Sequence, residues 1–149
     1  MKVAIGCDHG GILLKDACIK ALKELDFEYN DYGTYNTDSV DYPDFAEKVA
    51  NAILNGECEK GILLCGTGIG IGIVANKFKG IRCAHVIDVF CAQMAAEHNN
   101  ANIISMGGRI TKPEDAYEMV KVFMKTKFAA GRHELRVGKI SNIENKNFK

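Results

Sequence analysis

The chain has 149 residues, 47% hydrophobic and 26% charged, which suits one globular domain built on one core. Its 19 basic and 19 acidic side chains cancel, so no net field draws it to nucleic acid or an anionic membrane, and any anion must be caught locally. No apolar run approaches the roughly 20 residues of a membrane span, and the six cysteines form no C-x-x-C pair, which favours a reduced cytoplasmic protein over a disulfide scaffold or zinc module.

Lys2–Cys7 reads as a strand rather than a signal peptide. Between Gly11 and Leu25 the apolar residues recur at helical spacing. Phe27–Tyr32 predicts a second strand, and Tyr35–Tyr42 a polar loop. Phe45–Leu54 is a helix ended by Asn55-Gly56. Gly61–Cys65 is apolar throughout, as expected of a strand buried on both faces. A glycine turn then leads into a helix over Ile69–Lys77. Further on, Ile81–Ile87 predicts a strand, Val89–His98 a helix, Ile103–Met106 a strand, and Pro113–Lys125 a helix capped by Thr111. A charged helical tail comes next, at about 133–146. Strands alternating with helices imply a five-stranded parallel sheet covered on both faces, an α/β/α sandwich of Rossmann-like type spanning residues 1–149. Ligands of such sheets bind beyond the carboxyl ends of the strands.

The most informative segment is Cys65-Gly66-Thr67-Gly68-Ile69-Gly70-Ile71-Gly72. Its alternate glycines permit close approach of a ligand, and its amides can hold an anion. A dinucleotide fingerprint fits poorly. Counted from Gly66 or Gly68, the last required glycine is Ile71 or Ile73, and the relaxed match from Gly70 begins five residues past the strand end. A cysteine facing a helix N-terminus is expected to shift toward thiolate, able to act as nucleophile or base. The plainer reading of Cys65 is a buried strand-terminal thiol.

Asp8-His9-Gly10-Gly11 stands at the end of the first strand, where a capping Asp and a turn His compete with a ligand-binding role. His98-Asn99-Asn100 closes the fourth helix and could serve only as a helix terminus. His85, in mid-strand, reads as a core histidine. Four histidines without metal spacing point away from a metal site. Arg132 and Arg136, at i and i+4, present two guanidinium forks suited to a phosphate, although a solvated charged face is the commoner use of such a pair. Arg109, after Gly107-Gly108, is a third candidate for anion binding.

Together these segments resemble the type B ribose-5-phosphate isomerase family, which includes the galactose-6-phosphate isomerase subunits. The resemblance rests on Gly6-Cys7-Asp8-His9-Gly10-Gly11, Asp41-Tyr42-Pro43, Cys65 through Gly70, Ala75-Asn76-Lys77, Glu97 through Asn102 and Gly131-Arg132-His133. It implies that Cys65 is the base at C2, that Thr67 and the amides of Gly66, Gly68, Ile69 and Gly70 stabilise an enediolate, and that His98 opens the sugar ring. It further implies that Asp8, Tyr42 and Asn99 hold hydroxyls while His9, Arg109, Arg132 and Arg136 hold phosphate. The resemblance also implies no cofactor or metal, a sugar-phosphate substrate, and a homodimer or tetramer that shares sites between subunits, with the tail at the interface. The expected reaction interconverts ribose 5-phosphate and ribulose 5-phosphate. An isomerase of allose or galactose 6-phosphate is the near alternative, and a non-catalytic flavodoxin-like phosphate or nucleotide binder the distant one. The stretch Val89–Ala96 departs from the family, which is expected to carry a more polar sequence ending in Ser-Arg before Glu-His; that bears on sugar length rather than mechanism.

Overall fold

The computed structural model describes residues 1–148. In chain order the elements are β1 (Lys2–Cys7), α1 (Ile12–Glu24), β2 (Glu28–Asp31), α2 (Tyr42–Leu54), β3 (Lys60–Cys65), α3 (Ile69–Ala75), β4 (Cys83–His85), α4 (Val89–Glu97), β5 (Ile103–Gly107), α5 (Pro113–Lys125) and α6 (Arg132–Asn147). All strand pairings are parallel, in the order β2-β1-β3-β5-β4. This is the expected α/β sheet. The chain steps from β1 outward to β2 and then crosses back to β3, so the β1 and β3 carboxyl ends flank the crevice where ligands of such sheets bind.

The period of two in the strands divides the core into two layers. Val3, Ile5, Ile62, Leu64, Ile104 and Met106 pack beneath α1, α4 and α5. Ala4, Leu63, Cys65 and Ile103 pack beneath α2 and α3. Cys65 therefore points into the α2–α3 layer, at its upper rim.

Several boundaries differ from expectation. β4 covers only Cys83–His85, although the Val86 N–H still donates to the Ser105 carbonyl at 3.0 Å, and Asp88 then caps α4, its carboxylate accepting the Cys91 N–H at 2.7 Å. α2 begins three residues early, at Tyr42, with Pro43 in its first turn. Lys112, not Thr111, occupies the α5 N-cap, and no side chain caps that helix. His98 is the C-cap of α4, and Asn100 takes the left-handed conformation at φ 47°.

The loop after β2 is tied down by a buried cation. Lys15 of α1 is 6% exposed, and its Nζ lies 3.0 Å from both Asp31 carboxylate oxygens. It also donates to the Thr34 carbonyl and lies 4.6 Å from the centre of the Tyr35 ring. Removing one partner strands the other charge, so Lys15→Met is expected to destabilise the fold by about 3 kcal/mol in urea unfolding. Asp31→Asn should cost less than Lys15→Met, because its amide oxygen can still accept from Nζ.

Candidate active site at the carboxyl edge of the sheet

A pocket of about 430 Å³ opens at the predicted edge, lined by residues that include Asp8, His9, Tyr42, Gly66 and Arg109, with Val40, Asp41, Pro43 and Asp44 completing the wall. Asp8 is 6% exposed. Its Oδ1 accepts the amides of Gly10 and Gly11 at 2.8 and 3.1 Å, which fixes the carboxylate. His9 Nδ1 accepts the Val40 N–H at 3.2 Å, so in the neutral ring Nε2 carries the proton. The Arg109 guanidinium lies over Gly66, where a Cβ would come within 2.8 Å of Nη1. The backbone behind it is clamped, with the Gly108 and Arg109 amides donating to the Cys65 and Gly66 carbonyls at 2.8 and 2.9 Å.

Cys65 lies one residue behind the pocket lining and is 4% exposed. Its Sγ accepts the Gly68 N–H at 3.1 Å. Burial pushes the thiols of Cys7, Cys18 and Cys83 up, to about 11, 12 and 12. Unlike these three, the Cys65 sulfur accepts a backbone amide. The bond depends on Gly68 at φ 81°, where a Cβ would meet the Met106 backbone at 2.7 Å.

The other glycines serve less uniformly than the sequence suggests. Gly70 and Gly72 belong to α3, and they make room for protein rather than ligand. A Cβ on Gly70 would strike the Tyr42 ring at 2.8 Å, and one on Gly72 the Ser105 hydroxyl at 2.8 Å. Two of the turn amides are also engaged, since Gly68 N–H goes to Cys65 and Ile69 N–H to Thr67 Oγ1 at 3.2 Å. α3 has only seven residues, so the contact at sulfur comes from one aimed amide rather than a long helix.

His98, Asn99, Arg132 and Arg136 are not part of this pocket. α4 runs antiparallel to the sheet, so its C-cap His98 lies at the opposite, amino edge, roughly 15 Å of helix away from Asp88. The start of α6 joins it there: the His98 and His133 rings stack with centroids 3.9 Å apart and planes 14° from parallel. Asn99 opens instead on a hollow of about 480 Å³, largely apolar, between α6 and the β4 edge. One chain thus brings together Asp8, His9, Tyr42, the 65–70 turn and Arg109, and sets the remaining candidates apart. Among the described residues, none of Arg109, Arg132 and Arg136 is ion-paired.

Burial, then the neighbouring His98 ring and the Arg132 and Arg136 guanidinium groups, push His133 below its ordinary value, against a smaller opposing pull from Glu97. The unfolded chain therefore binds this proton more tightly, and stability is lost as pH falls from above 6.5 through the folded-state value. We expect the melting temperature to drop between pH 8 and pH 5, and His133→Asn to flatten that slope; an unchanged slope would contradict the assignment.

His85 departs most from expectation. It is exposed at the end of β4, not buried in mid-strand, and its Nε2 lies 2.8 Å from the Thr67 carbonyl oxygen. No sequence signal marked it, because the strand appeared to continue to Ile87.

Among the described residues no helix is long and apolar enough to cross a membrane. Residues 3–140 match the family model described as Ribose/Galactose Isomerase. Ribose-5-phosphate isomerase B of Escherichia coli (strain K12) is 41% identical over 143 residues, covering 96% of each chain. The solved ribose-5-phosphate isomerase B of Clostridium thermocellum superposes with a TM-score of 0.94 at 49% identity, covering 98% of this chain and 99% of that one. That of Mycoplasma genitalium, solved with bound ribulose-5-phosphate, gives a TM-score of 0.91 at 36% identity over 98% of this chain and 97% of its own. With a family model spanning nearly the whole chain and relatives matched end to end, the chain belongs to the ribose/galactose isomerase family.

Proposed function

We propose that the protein interconverts ribose 5-phosphate and ribulose 5-phosphate through an enediolate, with Cys65 as the base. The observation that carries this reading is the Cys65 sulfur, fixed at the sheet's ligand edge by the Gly68 amide and one residue behind a pocket containing Asp8, His9, Tyr42 and Arg109. The thiolate removes the C2 proton of the aldose. The C2–H electron pair becomes the C1=C2 bond, and charge moves onto the C1 oxygen. Returning the proton to C1, with transfer of the O2 hydroxyl proton to O1, gives the ketose. The Gly66 and Gly70 amides, which the Cys65 and Thr67 side chains do not engage, and the Thr67 hydroxyl meet the developing oxyanion. The Asp8 carboxylate holds a sugar hydroxyl through Oδ2, the oxygen not used by the Gly10 and Gly11 amides. His9 and Arg109 hold the phosphate, whose binding energy orients the reacting carbons.

The second half of each site is supplied by another copy of the chain. Its His98 opens the ring, its Asn99 holds a hydroxyl and its Arg132 and Arg136 complete the phosphate clamp. This division follows from the separation of the two edges within one chain, and it makes the protein an obligate dimer or higher oligomer in function, acting in the cytoplasm.

A side-by-side kcat/KM comparison of ribose 5-phosphate with allose and galactose 6-phosphates tests the substrate. Ribose 5-phosphate is expected to be fastest; faster turnover of a hexose phosphate would reassign the substrate while leaving the mechanism in place.

A further inference from the structure

We propose that His85 is a positioning residue for Cys65, acting through the Thr67–Gly68 turn; that Cys65 is the base rests on the proposed isomerase function. A carbonyl oxygen can only accept, so the 2.8 Å contact requires His85 Nε2 to carry a proton and donate it to Thr67. The same ring packs against Gly68: a Cβ at that position would lie 2.9 Å from His85 Cδ2. Gly68 in turn donates to the Cys65 sulfur. A continuous path of one hydrogen bond, one van der Waals contact and one N–H···S bond therefore runs from the end of β4 to the sulfur.

The turn needs such a support. Gly66 and Gly68 leave its backbone intrinsically free. Thr67 passes over the end of β5, where Gly107 has no Cβ to obstruct it. The bond from Ile69 N–H to Thr67 Oγ1 lies within the segment and cannot hold it against the sheet. Among the described residues, two bonds reach it from other elements: Arg109 N–H to the Gly66 carbonyl on one side, and His85 to the Thr67 carbonyl on the other. Only the second holds the far side of the turn, next to the amide that meets the sulfur. Cys65 and His85 point to the same face of the sheet, the first from β3 and the second two strands away on β4, so the turn spans the gap between them.

His85→Leu keeps bulk and removes the donor, whereas His85→Gln places an amide N–H near the position of the imidazole Nε2. His85→Leu is expected to lower kcat on the order of tenfold with KM within about twofold of wild type, and to speed hydrogen–deuterium exchange at the Gly68 amide by a similar factor. His85→Gln should recover most of both, with melting temperatures of all three proteins close together, since the ring is exposed. Wild-type kcat and Gly68 exchange in His85→Leu would overturn the assignment. So would a glutamine variant as impaired as the leucine one, or faster exchange spread evenly over the fold. Exchange at Gly68 is read without substrate, so it decides the role of His85 even if the wild-type protein turned over no pentose phosphate, a result that would sink the functional reading instead.

Discussion

Cys65→Ala and Cys65→Ser are both expected to lower kcat by about a thousandfold, the scale of a lost general base, while KM stays within about twofold. Serine keeps nearly the same shape and can still accept the Gly68 N–H, but its hydroxyl holds its proton far too tightly to serve as a base near neutrality. The pair of variants therefore separates basicity from shape. Phosphate affinity should persist, because His9 and Arg109 reach the pocket from the turns after β1 and β5, and neither is hydrogen-bonded to the sulfur. Stability should change little for serine, since its hydroxyl can keep the turn's N–H partner. A Cys65→Ser enzyme with wild-type turnover would move the base elsewhere.

Mixing two inactive variants is expected to restore activity. Cys65→Ala damages the carboxyl-edge half of the site, and Arg132→Ala combined with Arg136→Ala damages the amino-edge half. Each alone should be nearly inactive at low substrate. After denaturation and co-refolding at equal amounts, mixed dimers carry one site with both defects and one with none, so about a quarter of all sites should be intact. The physical basis is the antiparallel course of α4 and α5, which carries His98 and the start of α6 to the far side of the sheet from Cys65. No rotamer change spans that distance within one chain. Recovery of activity in the mixture shows that sites are shared; its absence, with each protein folded, would require all the groups to act within one chain.

Much of the architecture was legible in the residues because period and punctuation are local. The strands and helices followed from apolar spacing, and the sheet's ligand edge followed from parallel topology, which put Asp8, Cys65 and Arg109 where they are found. What the sequence could not give was set by contacts between distant segments. Gly70 looked like part of an anion loop because its neighbour in space, the Tyr42 ring, lies 28 residues earlier in the chain. His85 looked buried because Val86 and Ile87 extend the apolar run beyond His85, the last residue of β4. Nothing in the spacing of the first helix singles out Lys15, since only the fold brings Asp31 to its ammonium. The edge to which each helix end is carried is a property of topology, so no spacing rule could have told that His98 and Cys65 lie apart in one chain.

Deuterium wash-in tests the central claim most directly. Aldose phosphate recovered after partial turnover in D₂O should carry deuterium at C2 with the wild-type enzyme, and none above background with Cys65→Ala at matched occupancy of the phosphate site. Label entering C2 at the wild-type rate in the alanine variant would show that another group handles that hydrogen, and the sulfur would lose its assigned part in the reaction.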